Sequence, residues 1–357
     1  MTIHRVVIVS DDPTGAIDTA VEFSSRGYTT KVALTPDAIG QCIGDAPQVL
    51  SVSTNSREIS GVQAIEAVGQ AAQSLAAYGP DIWIKKVDSR LKGNIGLEVG
   101  SLGRSVGFDA AVFIPAIPWM NRMVTGGQAV GDGIAKPVNI RPLVSGLTFQ
   151  DVDVPDIHKQ ADIEDAVQRG IYKTTLPLFI GAAGLARAIA TALRPAPLQS
   201  SELLLKERPF FVIGSRDPLT LAQVKVLQSE YPEIRLAQCP NGAPPPASDA
   251  QWSGAICTQG ATEEPAESVE SRFAKTSADL FNRFGRDVLF GCGGNTLSAM
   301  LRELEIQCLQ PVHEVVSGIA VSNGVKAQQN LVVLSKSGGF GDRDSLVKLV
   351  RKTNFGQ

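Results

Sequence analysis

Ten residues, KKVDSRLKGN at 85–94, place Lys86, Asp88, Ser89, Arg90 and Asn94 just after the apolar run Ile82-Trp83-Ile84. A solvated loop after a strand needs a turn and some polarity, but not this many donors beside a carboxylate. The combination suits an anionic, hydroxyl-rich small molecule; a charged loop rim is the plainer account. Asp11 and Asp12 close another apolar run in HRVVIVSDDPTGA. Adjacent carboxylates at a strand end can accept hydrogen bonds from substrate hydroxyls, and one can act as a general base. Helix capping by Asp12 or Thr14, with Pro13 in the first turn, explains one acid but not both. Arg57, after QVLSVSTNS, offers a two-pronged contact to a carboxylate, or simply a surface charge.

The second half carries a different chemistry. Gly214-Ser215-Arg216-Asp217, Gly293-Gly294-Asn295-Thr296 and Ser337-Gly338-Gly339-Phe340-Gly341 each follow an apolar run. Glycines allow close backbone approach, and free N–H groups at a helix N-terminus bind anions, so these loops suit the phosphates of a nucleotide. A single such loop would say little, since glycine turns often join strands to helices; three in one half point to nucleotide binding. No GxxxxGK[ST] sequence is present, which excludes a Walker-type cradle. GCGGNT and GFGDRD both lack the last glycine of GxGxxG, and no GxSxG elbow occurs.

These loops need elements to hold them. A short apolar run, a polar turn and a helical period recur at HRVVIVS, DIWIKKV, PFFVIGS, DVLFGC and LVVLSK. Strands alternating with helices predict an α/β protein with largely parallel sheets flanked by helices. Ligands in such sheets bind beyond the carboxyl ends of the strands, which is where all five turns fall. The i, i+3, i+4 spacing of Ile17, Ala20 and Val21, and of Leu297, Met300, Leu301 and Leu304, marks apolar helix faces turned to a core.

At 357 residues the chain has room for about two domains. The Pro/Ser-rich stretch ALRPAPLQSSELLLKERP (192–209) marks the boundary, giving domains at 1–200 and 207–357, and CPNGAPPPASDAQ (239–251) reads as a surface loop. The net charge of −3 provides no basic field to recruit nucleic acid. No apolar run approaches the roughly 18 residues of a membrane span, and MTIHRVVIVSDD reads as a first strand, so a cytoplasmic location is expected. Five dispersed cysteines without a CxxC pair argue against a disulfide framework, and three scattered histidines (His4, His158, His313) point away from a histidine-rich zinc site.

SDDPTGA, TNSRE, KKVDSRLKGN, FIPAIPWMNRMVTGGQAVGDG, LFIGAAGLARAIA, GSRDPLTLAQ, GGNTLSAML and KSGGFGD together resemble the four-carbon acid sugar kinase family, in the family's order and over nearly the whole chain. The resemblance implies an N-terminal acid-sugar-binding domain, a C-terminal ATP-binding domain and a ligand cleft between them. It also implies phosphorylation of a tetronate-type substrate such as threonate, erythronate or oxo-tetronate, with ATP and Mg²⁺. Carried over motif by motif, Asp12, Lys86 and Asp88 are the catalytic candidates, and Asp11, Arg57, Ser89, Arg90 and Asn94 bind the sugar acid. Ser215, Asp217, Gly293, Gly294, Asn295, Thr296, Gly338 and Gly341 hold the nucleotide. In this reading Arg57 and Lys86 grip the carboxylate while Asp12 takes the proton from the attacking hydroxyl. The chain departs from the family pattern at DSRLKGN, where Arg90 and Lys92 change the local charge. It departs again at Asn295 in GGNT, at Asp217 in GSRD and in a shortened stretch between Ile140 and Asp151. A non-catalytic relative and a nucleotide-linked oxidoreductase are the alternatives. Neither a nucleic-acid nor a membrane partner is expected, and assembly as a homodimer stays open.

Overall fold

The apolar run behind Arg5 becomes strand β1 (Val6–Ser10), with all five residues buried. A parallel strand covered by helices on both faces loses the polar alternation of a half-exposed strand, which is why the run reads as continuous Val and Ile. A computed structural model describes residues 5–147, 149–194, 205, 207–246, 250–326 and 329–353. The chain divides into two compact units, Met1–Leu198 and Gln199–Gln357. Most of the 192–209 stretch and part of the 239–251 loop lie outside the described residues.

In the first unit β1 is followed by α1 (Pro13–Ser24), β2 (Thr30–Ala33), α2 (Ile39–Ile43), β3 (Val49–Ser53) and α3 (Gly61–Ala76). Next come β4 (Ile82–Lys86), α4 (Ile95–Val106), β5 (Ala110–Ile114), β6 (Arg122–Thr125), β7 (Gln128–Gly131) and β8 (Val138–Asn139). The unit ends with α5 (Arg141–Val144), β9 (Asp151–Asp153), α6 (Gln160–Ile171), β10 (Leu178–Gly181) and α7 (Ala183–Leu193). Its main strands lie in the order β2-β3-β1-β4-β10-β5-β9, every pair parallel. The chain runs from β1 outward on one side, then returns to add β4 on the other. The turns after β3, β1 and β4 therefore meet at the point where strand order reverses, the usual ligand position in an open α/β sheet. β6, β7 and β8 form a separate antiparallel sheet that the hydrophobic pattern did not announce.

The second unit contains β11 (Phe210–Ile213), α8 (Pro218–Glu230), β12 (Leu236–Pro240), β13 (Gly254–Thr258), α9 (Ala266–Arg283) and β14 (Val288–Cys292). It continues with α10 (Gly294–Glu303), β15 (Cys308–Val316), β16 (Ile319–Lys326), β17 (Gln329–Lys336) and α11 (Ser345–Arg351). Strand order is β12-β13-β11-β14-β17-β16-β15; the pairs are parallel as far as β17 and antiparallel through the closing meander. Here too the order reverses, at β11. The core packs Phe211, Ile213, Phe290, Leu334, Leu346 and Leu349, all buried, between sheet and helices.

Candidate active site

The first-unit cluster is assembled by three strand ends. Ser10 closes β1 and hands the chain to Asp11 and Asp12, both nearly buried. Asp12 is the N-cap of α1: its Oδ1 accepts from the Gly15 N–H at 2.6 Å and its Oδ2 from the Thr14 hydroxyl at 3.0 Å. A Cβ at Gly15 would lie 2.5 Å from Asp12 Oδ1 and 3.0 Å from Lys86 Nζ, so a glycine here lets both charged groups crowd the helix end.

Arg57 arrives from the turn after β3 and lies across the acids. Its Nε and Nη2 donate to the two Asp11 oxygens at 2.8 Å each, and Nη1 donates to Asp12 Oδ2 at 2.7 Å. Asp88 Oδ2 lies 3.7 Å from the same Nη1. The two-pronged carboxylate contact read from sequence is thus made, but to Asp11 of the same chain. Burial alone would raise the Asp11 carboxyl, yet the Arg57 guanidinium and the nearby ammonium groups of Lys85 and Lys86 outweigh it and hold the acid below its usual range. Burial opposes the Arg57 charge, but Asp12 and Asp11 more than compensate and raise its pKa.

KKVDSRLKGN supplies the third side. Lys86 is buried and its Nζ donates to the Val87 carbonyl at 2.9 Å. Asp88 accepts from the Arg90 N–H at 2.6 Å, and the Arg90 side chain lies over the same carboxylate, Nε 3.8 Å from Oδ1. Ser89 accepts from Arg122 Nη1 at 2.8 Å. Asn94 directs its amide hydrogens to the Ser56 and Ile59 carbonyls at 2.9 Å each, stitching this loop to the one bearing Arg57. Leu91 takes a left-handed φ of 58°, a conformation unusual for a branched side chain. A Cβ on Gly93, whose φ is 96°, would meet Arg57 Cγ at 3.1 Å.

Beneath this layer lies a buried network that sequence reading missed. Lys85 Nζ pairs with Glu98 Oε2 at 2.8 Å, both side chains sealed from solvent. Ser56 donates to Glu98 Oε1 at 2.7 Å, lies 2.6 Å from Thr54 Oγ1, and gives its N–H to the Asp11 carbonyl at 2.9 Å. The network joins β4, α4 and the turns that carry Arg57 and the aspartates. A lysine inside the strand run IWIKK was its only sequence signal. Arg122, also passed over as a site residue, is buried in the MNRM stretch.

The second-unit loops also converge. The Gly214 and Ser215 N–H groups both donate to the Cys292 carbonyl at 3.2 Å, and the Gly293 N–H donates to the Lys336 carbonyl at 3.0 Å. A Cβ on Gly214 would strike Thr296, and one on Gly338 would strike Ser215. GSRD, GGNT and KSGG therefore share one surface at the ends of neighbouring strands β11, β14 and β17. Their helix ends differ. Asp217 caps α8 with its own carboxylate, Oδ1 accepting from the Leu219 N–H at 3.0 Å. Gly293 caps α10 at φ 107° and ψ 132° and makes no side-chain capping hydrogen bond. Gly294, Asn295 and Thr296 form its first turn, with Asn295 exposed and Thr296 buried. Gly341 stands apart, its Cβ position facing Ser345 and Ser317 rather than the other loops.

Residues 6–145 match the sugar-binding N-terminal domain and residues 247–346 the nucleotide-binding C-terminal domain. A sugar-binding and a nucleotide-binding domain on one chain are the two binding functions that a carbohydrate kinase needs. The D-threonate kinase of Bordetella bronchiseptica is 27% identical over 391 residues, spanning 96% of this chain and 95% of the relative. The D-erythronate kinase of Heliobacterium modesticaldum is 34% identical over 124 residues, 34% of this chain and 28% of the relative. The crystal structure of Haemophilus influenzae protein HI1011 shares the fold, with a TM-score of 0.67, 19% identity and coverage of 97% of this chain and 99% of that one. The chain belongs to the four-carbon acid sugar kinase family. Membership replaces the oxidoreductase alternative. Among the described residues no helix is long and apolar enough to cross a membrane.

Proposed function

We propose that the protein transfers the γ-phosphoryl group of ATP to a hydroxyl of a four-carbon sugar acid of the threonate or erythronate type. The observation that carries this reading is the cluster of Asp11, Asp12, Arg57, Lys86 and Asp88 where the first sheet reverses its strand order. It combines acceptors for hydroxyls with a buried cation for a carboxylate. Similarity to a D-threonate kinase over nearly the full length supports the same chemistry.

Asp12 is the base in this proposal. An acceptor hydroxyl donates to its carboxylate and passes over the proton as its oxygen bonds to the γ-phosphorus, while the bond from that phosphorus to the β–γ bridging oxygen breaks and ADP leaves with its electron pair. Phosphoryl transfer asks the protein mainly for positioning and charge stabilisation, so a firmly held carboxylate matters more than a strongly basic one. Arg57 directs three nitrogens at Asp11 and Asp12. Its role is then to orient the acid pair, which leaves the substrate carboxylate to Lys86 and Arg90. In the second unit the uncapped α10 terminus and the Gly338 loop hold the phosphates.

ATP reaches kinases as its Mg²⁺ complex. Among the described residues no group of three or more His, Cys, Asp or Glu side chains could cage a metal ion. The residues therefore offer no closed protein site for Mg²⁺, and none of the steps above runs through it; phosphate oxygens and water commonly complete its shell.

The test is ADP release from ATP and Mg²⁺ across four- to six-carbon sugar acids. Turnover concentrated on tetronates is the expected result. ATP binding with no ADP release across the whole panel would favour the non-catalytic alternative.

A further inference from the structure

Lys336 ends β17 and is fully buried, directly under the Ser337-Gly338-Gly339 turn. Its Nζ donates to the carbonyls of Ser337 at 3.1 Å and Gly338 at 3.0 Å, and lies 3.5 Å from the Thr220 hydroxyl. Thr220, on α8, donates to the same Gly338 carbonyl at 2.7 Å. The backbone carbonyl of Lys336 accepts the Gly293 N–H at 3.0 Å. One lysine thus anchors the turn after β17 and the turn that opens α10.

The consequence follows from peptide geometry. Each peptide unit is planar, and no cis bond occurs among the described residues, so every N–H points opposite the carbonyl of its own unit. Drawing the Ser337 and Gly338 carbonyls inward turns the Gly338 and Gly339 N–H groups outward. Successive N–H groups aimed the same way form a concavity that binds anions. Glycine suits both places, since a side chain on Gly338 would collide with Ser215. Burying an ammonium is costly, and methionine would fill the same space without that cost, so packing gives no reason for lysine here.

We propose that Lys336 is a positioning residue for the polyphosphate of the nucleotide: from below the loop it fixes the carbonyls of Ser337 and Gly338 so that the Gly338 and Gly339 N–H groups face the phosphates. The proposal rests on the reading of the second unit as the ATP site.

Calorimetric titration of ATP, tripolyphosphate and adenosine into the full-length protein and into Lys336→Met and Thr220→Val tests it, with thermal midpoints recorded alongside. Lys336→Met should bind ATP and tripolyphosphate roughly tenfold more weakly, a loss of about one charge-assisted contact. Adenosine affinity should hold and the midpoint should not fall. Thr220→Val, which removes one donor to a carbonyl that Lys336 still holds, should show a smaller loss of the same kind. Unchanged ATP affinity in folded Lys336→Met overturns the proposal, as does an equal loss for ATP and adenosine. Should that variant fail to fold, unchanged ATP and tripolyphosphate affinity in Thr220→Val overturns it instead. Wild-type protein that binds neither ATP nor tripolyphosphate rejects the nucleotide reading itself, a result distinct from either variant outcome.

Discussion

Asp12 combines two duties that the sequence offered as rivals: it caps α1 and stands in the acid cluster. Asp12→Asn keeps a capping oxygen but removes the proton acceptor. Turnover on a tetronate should fall by roughly 10²–10⁴-fold, the usual range for a positioned general base, with ATP affinity intact. Steady-state kinetics beside ATP titration checks this, and near wild-type turnover would move the base elsewhere. Lys86→Met should lose about 2 kcal/mol of transition-state stabilisation through a missing charge-assisted contact, read as a drop in kcat/KM for the sugar acid. If Lys86 belongs to a solvated rim, that ratio will stay put. Arg57 is held in a fork that a lysine point charge cannot reproduce. Arg57→Lys should therefore depress kcat through a loosened Asp11–Asp12 pair, while KM for ATP stays level.

At the scale of elements, α1 and α4 are held to the sheet by contacts that also set the acid cluster. Alanine at Gly15 improves helix propensity by up to about 1 kcal/mol, yet its Cβ would press on Asp12 and Lys86. Gly15→Ala should thus lose turnover disproportionately to any change in thermal midpoint; loss of both in step would mark Gly15 as structural only. The Lys85–Glu98 pair links β4 to α4 entirely out of water. Removing one partner of such a pair usually costs about 3–5 kcal/mol because the other charge is stranded, whereas removing both can be nearly neutral. Chemical denaturation should find Lys85→Met and Glu98→Leu each strongly destabilising, and the double variant less so than either. Additive penalties would show that the two charges do not act as a pair.

For the whole molecule, acid should act in two steps. Burial lowers the pKa of His313, so the folded protein resists a proton that the unfolded chain accepts. The resulting stability is present above the ordinary histidine value of about 6.5 and is lost as pH falls through the lower folded value. Asp11 behaves alike in a more acidic window: burial opposes its charge, Arg57 overcomes that, and its folded pKa lies below the usual value. Its contribution is complete above about pH 4 and disappears as pH falls further through the folded value. Thermal midpoints followed from pH 8 to 3 should decline in both windows. His313→Gln should flatten only the first, and a parallel decline in that variant would count against His313.

The sequence by itself determined the α/β class, the strand-turn-helix order and the polar turns at the strand ends. These are local properties: buried parallel strands read as unbroken Val and Ile, and turns must show Gly, Asp, Ser and Asn where the backbone bends or a helix begins. It also held enough ordered motif for the family to be read. Only tertiary structure decided what those residues face. Nothing local tells Arg57 to clasp Asp11, 46 positions away, or brings Glu98 beneath Lys85. The antiparallel sheet of β6 to β8 and the meander of β15 to β17 rest on pairings between segments, which composition and period do not encode. Lys336, the last residue of the LVVLSK run, is buried beneath a glycine turn, a placement its position in the sequence did not specify. Side-chain type is written residue by residue, whereas the partner of a buried charge is chosen by the fold that removes water from around it.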